Sequence, residues 1–190
     1  SGLLATDFND AIAPDAGTIA TFPYYGENGR LQTAHVLKQL EAVLAAGGAS
    51  LQDVVKAEVY LTDLKDFFRL DEVWREFFPV DPPARTTAPV KSLGVPGARM
   101  AINLIAYLPG PGDIRRTIST DAAPRPLAHE PQVVHAGPLL FFSQQMATDF
   151  RTGVPAEAKL NPAFPFYGSE SASQVLYIVK NVAAICEAAG

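Results

Sequence analysis

An arginine such as Arg85 could do chemistry on a small molecule in this 190-residue sequence, although by residue type alone it reads as a surface or structural arginine. A guanidinium presents a rigid planar fork of donors that matches a carboxylate two-on-two. The other reactive side chains form no comparable constellation. His35 falls in a helical segment, while His129 and His135 flank a strand, and none joins Cys or Asp at metal-ligand spacing. They read as structural or solvated. Neither Ser1 nor Ser143 stands in a nucleophile elbow, and no glycine-rich phosphate loop is present. Tyr25 and Tyr167 recur before helical segments and read as packing residues. Cys186, on an apolar helix face, reads as a buried thiol.

The bulk properties narrow the choice of partner. A net charge of −5 with no offsetting basic run argues against nucleic acid or an anionic membrane surface. Hydrophobic residues at 48% and charged residues at 18% describe a globular chain. One cysteine excludes an intrachain disulfide and fits a reducing compartment, so a cytoplasmic location is expected. No stretch approaches the ~20 apolar residues of a membrane helix, and Ser1-Gly2-Leu3-Leu4 lacks the charged leader of a signal peptide.

The elements that must position Arg85 follow from periodicity. Leu31, Ala34, Leu37, Leu40 and Leu44 recur at helical spacing over about residues 28–46, and Gly47-Gly48 stops that helix. Val55, Ala57, Val59 and Leu61 alternate with polar residues as a half-buried strand. A second helix from about 64 to 78 carries Phe67, Leu70, Trp74 and Phe77 on one face and ends at Pro79. Short strands follow at 85–90 and 100–106. Residues 109–130, rich at first in proline and glycine, read as a linker.

Phe22-Pro23-Tyr24-Tyr25-Gly26 reappears as Phe164-Pro165-Phe166-Tyr167-Gly168, an offset of 142 (165 − 23), and Ala5-Thr6-Asp7-Phe8 reappears as Ala147-Thr148-Asp149-Phe150. Residues 1–48 lie on 143–190 without a gap, with about 15 identities. A duplicated unit is the expectation. Residues 1–108 would be a first unit lacking its first strands, and 131–190 the N-terminal half of a second.

Several motifs stand in order: Ala45-Ala46-Gly47-Gly48-Ala49-Ser50-Leu51-Gln52-Asp53-Val54-Val55-Lys56, Val59-Tyr60-Leu61-Thr62-Asp63-Leu64-Lys65-Asp66-Phe67, Phe77-Phe78 and Pro83-Ala84-Arg85-Thr86-Thr87. Together they resemble the RidA/YjgF/L-PSP family. Gly137 through Ser143-Gln144-Gln145, Asp149, Thr152-Gly153 and the stretch from Asn181 to Gly190 resemble that family's opening half. The resemblance implies a chorismate-mutase-like α+β fold, a mixed sheet with two helices packed on one face, here duplicated. It implies a homo-oligomer, a trimer or pseudo-trimer of units with clefts between neighbours. It further implies hydrolysis of a carboxylate-bearing enamine or imine to a keto acid and ammonia, with no metal or organic cofactor. Arg85 would anchor the carboxylate, with Thr87 and Asn103 lining the cleft and positioning water.

The chain departs from the family pattern at several of these positions. Asn103 stands where the last strand commonly has a glutamate, and an amide holds a water without taking its proton. Thr87 replaces a common cysteine. Asp71 replaces a frequent asparagine and reads as an exposed helical carboxylate. The family's tyrosine is missing from His129-Glu130-Pro131-Gln132. Two alternatives stay open: a non-catalytic small-molecule-binding module using the same arginine, and an L-PSP-type endoribonuclease or translation inhibitor. The acidic balance and lack of an aromatic-plus-basic stripe count against the last.

Overall fold

The computed structural model describes residues 2–7, 9, 12–18, 28–163 and 168–190. Ser1, Tyr25 and Tyr167 lie outside the described residues. A four-stranded mixed sheet forms from β1 (Leu3–Leu4), β2 (Val54–Leu61), β3 (Ala84–Pro89) and β4 (Met100–Ala106), in the order β1-β4-β2-β3. β2 runs parallel to β3 and antiparallel to β4. Helices α1 (Asn28–Ala46) and α2 (Phe67–Phe77) pack on one face of this sheet.

The inner face shows why these segments fold as they do. Ala57, Val59 and Leu61 alternate along β2 toward Val36, Leu37 and Leu40 of α1 and Leu70, Val73 and Trp74 of α2. Burying each such leucine contributes roughly 1.5–3 kcal/mol. α1 ends where Gly48 adopts a positive φ of 76° and the Ala49 N–H returns to the Leu44 carbonyl. The side chain of Asp63 caps the 3-10 turn Leu64–Asp66 that leads into α2, and the ring of Trp74 stacks on Phe78 at the helix end.

The opposite face is polar and partly open. Lys56, Glu58 and Tyr60 of β2 share it with Thr86 of β3 and Asn103 of β4, as the register Glu58↔Thr86 and Glu58↔Asn103 requires. Gly2 approaches Asn103 so closely that a Cβ there would collide with its side-chain oxygen.

A second sheet holds β5 (Arg115–Ile118), β6 (Val133–Ala136) and β7 (Leu139–Phe142) in the order β5-β6-β7, all antiparallel. Residues 109–130, read as a linker, therefore contain a strand. Its register Arg115↔Ala136 to Ile118↔Val133 supplies the ladder that its weak periodicity concealed. Val134, Ala136 and Phe141 pack against Val55 and Ala84 of the first sheet.

α3 (Glu170–Ala189) begins 142 residues after α1 and seals Ile185 against Val133 and Phe142. Cys186, expected buried, is exposed on it. The neighbouring Ile185 takes the inward position, while Val175, Leu176 and Val179 also face solvent. His35, read as structural or solvated, is largely covered, and its Nδ1 lies 2.9 Å from Asp15 Oδ2. Among the described residues no helix is long and apolar enough to cross a membrane.

Candidate active site

Arg85 pairs with Ala57 in the β2–β3 register, which turns its side chain toward the helices. The side chain is fully buried. Its guanidinium lies 5.0 Å from the ring centre of Trp74 and 5.7 Å from that of Phe67, both on α2. Two carboxylates hold it. Asp71 Oδ1 accepts from Nη2 at 2.8 Å, and Glu130 Oε2 accepts from Nε at 2.8 Å. Nη1 is buried and has no hydrogen-bond partner among the described residues.

Asp71 corrects one expectation: it is buried on the inner side of α2 rather than exposed. The helix turns it toward Arg85, one turn before Arg75, whose guanidinium binds its other oxygen at 3.0 Å. The backbone N–H of His129 donates to Asp71 Oδ1 at 3.0 Å. Sequence reading registers only a missing tyrosine near Glu130. The structure places a carboxylate from that stretch on Arg85, a pairing that no local periodicity reveals because Glu130 lies outside any helix or strand.

The two carboxylates respond oppositely to one arginine. Burial pushes the Asp71 carboxyl up, but the His129 N–H and the Arg85 hydrogen bond and charge outweigh it, leaving it below the ordinary aspartate value. Burial dominates at Glu130, whose carboxyl is raised despite the same guanidinium, with the negative charge of Asp71 pushing the same way. Lys56, close enough to feel Glu130, is lowered first by burial, against the pull of Glu58 and Glu130. Its ammonium donates to Thr86 Oγ1 at 2.7 Å and to the Phe142 carbonyl at 2.5 Å.

Thr87 lies on the same strand face as Arg85, two residues on, and its Oγ1 is buried without a hydrogen-bond partner among the described residues. Its N–H donates to Gln144 Oε1 at 3.1 Å. The stretch after β7 thus lies along the β3 edge. Arg85 N–H donates to Ser143 Oγ at 3.0 Å, Ser143 Oγ donates to the Pro131 carbonyl at 2.6 Å, and Gln144 N–H donates to the Arg85 carbonyl. Ser143 is a clamp on the arginine backbone. Asn103 is elsewhere: its partner Glu58 sits on the opposite face, and its Nδ2 lies 3.4 Å from Glu58 Oε2. Within one chain the structure brings Arg85 and Thr87 together and leaves Asn103 apart.

Two other features mark the limits of this site. A cleft of about 880 Å³ is lined by Glu41, Leu51, Phe77, Val80, Asp81 and Arg115 and does not include Arg85. Arg115 there already donates to the Val54 and Asp81 carbonyls. Among the described residues no cluster of three or more His, Cys, Asp or Glu is grouped as metal ligands would be.

A mixed sheet backed by two helices, with a buried arginine on the strand edge beside a second sheet, defines an α+β protein of the RidA/YjgF kind. The chain belongs to the endoribonuclease L-PSP family, whose model matches residues 9–108. It is 47% identical over 68 residues to a RutC family protein of Saccharolobus solfataricus, covering 36% of this chain and 54% of that protein. It is 38% identical over 88 residues to chloroplastic Reactive Intermediate Deaminase A of Arabidopsis thaliana, covering 46% of each. The chain thus spans about half the length of these two relatives. A solved structure from Klebsiella pneumoniae matches with a TM-score of 0.50 at 20% identity, covering 57% of this chain and 90% of that one, and supports the fold.

Proposed function

We propose that the chain hydrolyses the C=N bond of a small imine, or of the enamine that tautomerises to it, using Arg85 to anchor the substrate's carboxylate. Water oxygen adds to the imine carbon and its proton passes to nitrogen. The carbinolamine hydroxyl then gives its proton to nitrogen as the C=O forms and the C–N bond breaks, leaving a 2-keto acid and ammonia. The observation that carries this reading is that the Arg85 guanidinium, walled by Phe67 and Trp74, already holds two carboxylate oxygens at 2.8 Å. Such a seat suits a carboxylate by shape and charge. Thr87 Oγ1 lies on the same strand face and would hold water. Asn103 would serve a cleft formed against a neighbouring unit, in a trimer or pseudo-trimer of duplicated units that packs the polar sheet face. The net charge of −5 favours a small metabolite over nucleic acid as partner. The chemistry assigned here calls on no cofactor.

Generating 2-iminopropionate in situ and following pyruvate release tests the reading. Release above the uncatalysed rate, lost in Arg85→Ala, is expected. Activity unchanged in that variant would sink it.

A second reading, a non-catalytic binding module, is favoured by two observations: both carboxylates on Arg85 come from the chain itself, and Asn103 offers no base. Ligand affinity without turnover of any imine would establish it.

A further inference from the structure

Of the two carboxylates on Arg85, Asp71 has three partners and the Glu130 side chain has one. Asp71 belongs to α2 and is tied to Arg75 and the His129 N–H as well as to Arg85. Glu130 lies in the irregular stretch between β5 and β6, which crosses over the arginine as a strap. That strap is pinned beside α2 by His129, whose Nε2 lies 2.8 Å from the Phe78 carbonyl and whose Nδ1 lies 3.3 Å from Arg75 Nη1. Among the described residues the Glu130 side chain makes one hydrogen bond, to Arg85 Nε, while its backbone N–H donates to the Ala128 carbonyl.

We propose that Glu130 is an intramolecular competitor for the carboxylate seat on Arg85, and so determines how tightly the site takes an external carboxylate. This rests on the reading of Arg85 as a carboxylate anchor. The exchange is charge for charge: an incoming carboxylate replaces Glu130 on Nε, reaches the unpartnered Nη1, and leaves Asp71 in place. Displaced Glu130 regains the water that burial denies it, which is the same desolvation that raises its pKa. The charged groups around Glu130 are Arg85 of β3, Asp71 of α2 and Lys56 of β2, with His129 beside it on the strap. Glu130 acts through Arg85, as a specificity-determining residue that need not touch the reacting carbon.

The test is titration of the whole chain with 2-oxobutanoate, followed by calorimetry or ligand-observed NMR, at pH 7.5 and pH 5.0. At pH 7.5, Glu130→Ala is expected to bind at least about tenfold tighter than the unmodified chain. The double variant Arg85→Ala/Glu130→Ala should lose that gain. The unmodified chain should bind tighter at the lower pH than at the higher, because burial raises the Glu130 carboxyl and its protonation frees the seat while 2-oxobutanoate stays ionised. Glu130→Ala should show no such gain, which separates Glu130 from His129 and from a structural role. Glu130→Gln keeps shape without charge and decides the matter if the alanine variant does not fold, its expected gain being smaller and in the same direction. Equal or weaker binding by folded Glu130 variants, or a gain that survives loss of Arg85, overturns the proposal. Imine turnover read on the same proteins distinguishes the two ideas. Tighter binding with no turnover sinks the hydrolase reading alone, whereas Arg85-dependent turnover with KM unchanged in Glu130→Ala sinks the competitor alone.

Discussion

Arg85 and Arg99 are both held by the same recipe, one guanidinium between two carboxylates, yet they differ in solvent. Arg99, just before β4, donates to Asp66 Oδ2 at 2.6 Å and lies 3.6 Å from Asp63, with a third of its side chain exposed. It clips the turn before α2 to the sheet, and the Asp66 hydrogen bond chiefly raises its pKa. Arg85 has no exposure at all. A dry ion pair is weak evidence for stability, since desolvation of the charges offsets their attraction. A wet clip needs no function beyond holding a turn. A fully buried arginine with one donor unpartnered among the described residues is what the proposed carboxylate seat, closed by the chain's own carboxylates, requires.

The largest expected effect follows from removing the dry cation. Arg85→Ala strands Asp71 and Glu130 in the interior and is expected to cost about 3–5 kcal/mol in urea unfolding. A loss under about 1 kcal/mol would mean that the cluster opens to water in solution, and the contrast with Arg99 would fail.

Next comes Asp71→Asn, expected to cost about 1.5–3 kcal/mol because a charged hydrogen bond to Arg85 is weakened in a buried place. Its pH dependence has a definite sign. A carboxyl lowered in the folded state stabilises above its unfolded value of 3.8 and loses that contribution as pH falls through the lower folded value. Asp71→Asn should therefore differ most from the unmodified chain at neutral pH and converge on it toward pH 2, as read from denaturant midpoints. An undiminished gap at low pH would contradict the assignment.

How far this contrast could be read beforehand depends on which contacts are local. α1 over Asn28–Ala46 and β4 over Met100–Ala106 fall where periodicity put them, because each buries one regular face. Arg85 stood out by the Pro-Ala-Arg-Thr-Thr motif and is buried at the strand edge beside the second sheet. The partners of Arg85 were not legible. Asp71 reads as a surface charge on any helical wheel until β3 is known to lie beneath it. Glu130 is 45 residues from Arg85 in an aperiodic stretch, so only tertiary closure brings them together. The strand β5 was hidden for a related reason: four residues, two of them arginine, carry no alternating apolar signal. Asn103 shows the reverse case, since its position on β4 was clear while the face it occupies depended on the β2 register.

Arg99→Ala tests the wet side of the comparison. Its ion pairs are partly solvated, so a loss of about 1 kcal/mol is expected, with 2-oxobutanoate binding unchanged. A loss matching that of Arg85→Ala would show that exposure does not separate the two clusters.

The smallest expected change is that of Glu130→Gln on stability. A carboxyl raised by the fold has its folded-state advantage below the unfolded value of 4.5 and loses it as pH rises through the raised value. Above the raised value the Glu130 carboxylate contributes no such advantage, while Gln keeps an acceptor for Arg85 Nε. Glu130→Gln should shift stability by less than about 0.5 kcal/mol at pH 7, toward greater stability, against the clear loss in Asp71→Asn. The pair of variants, unfolded in urea side by side, separates the carboxylate that holds Arg85 from the one that merely sits on it. Equal losses would make Glu130 a structural partner like Asp71, and an external carboxylate would then have to overcome a bond the fold depends on.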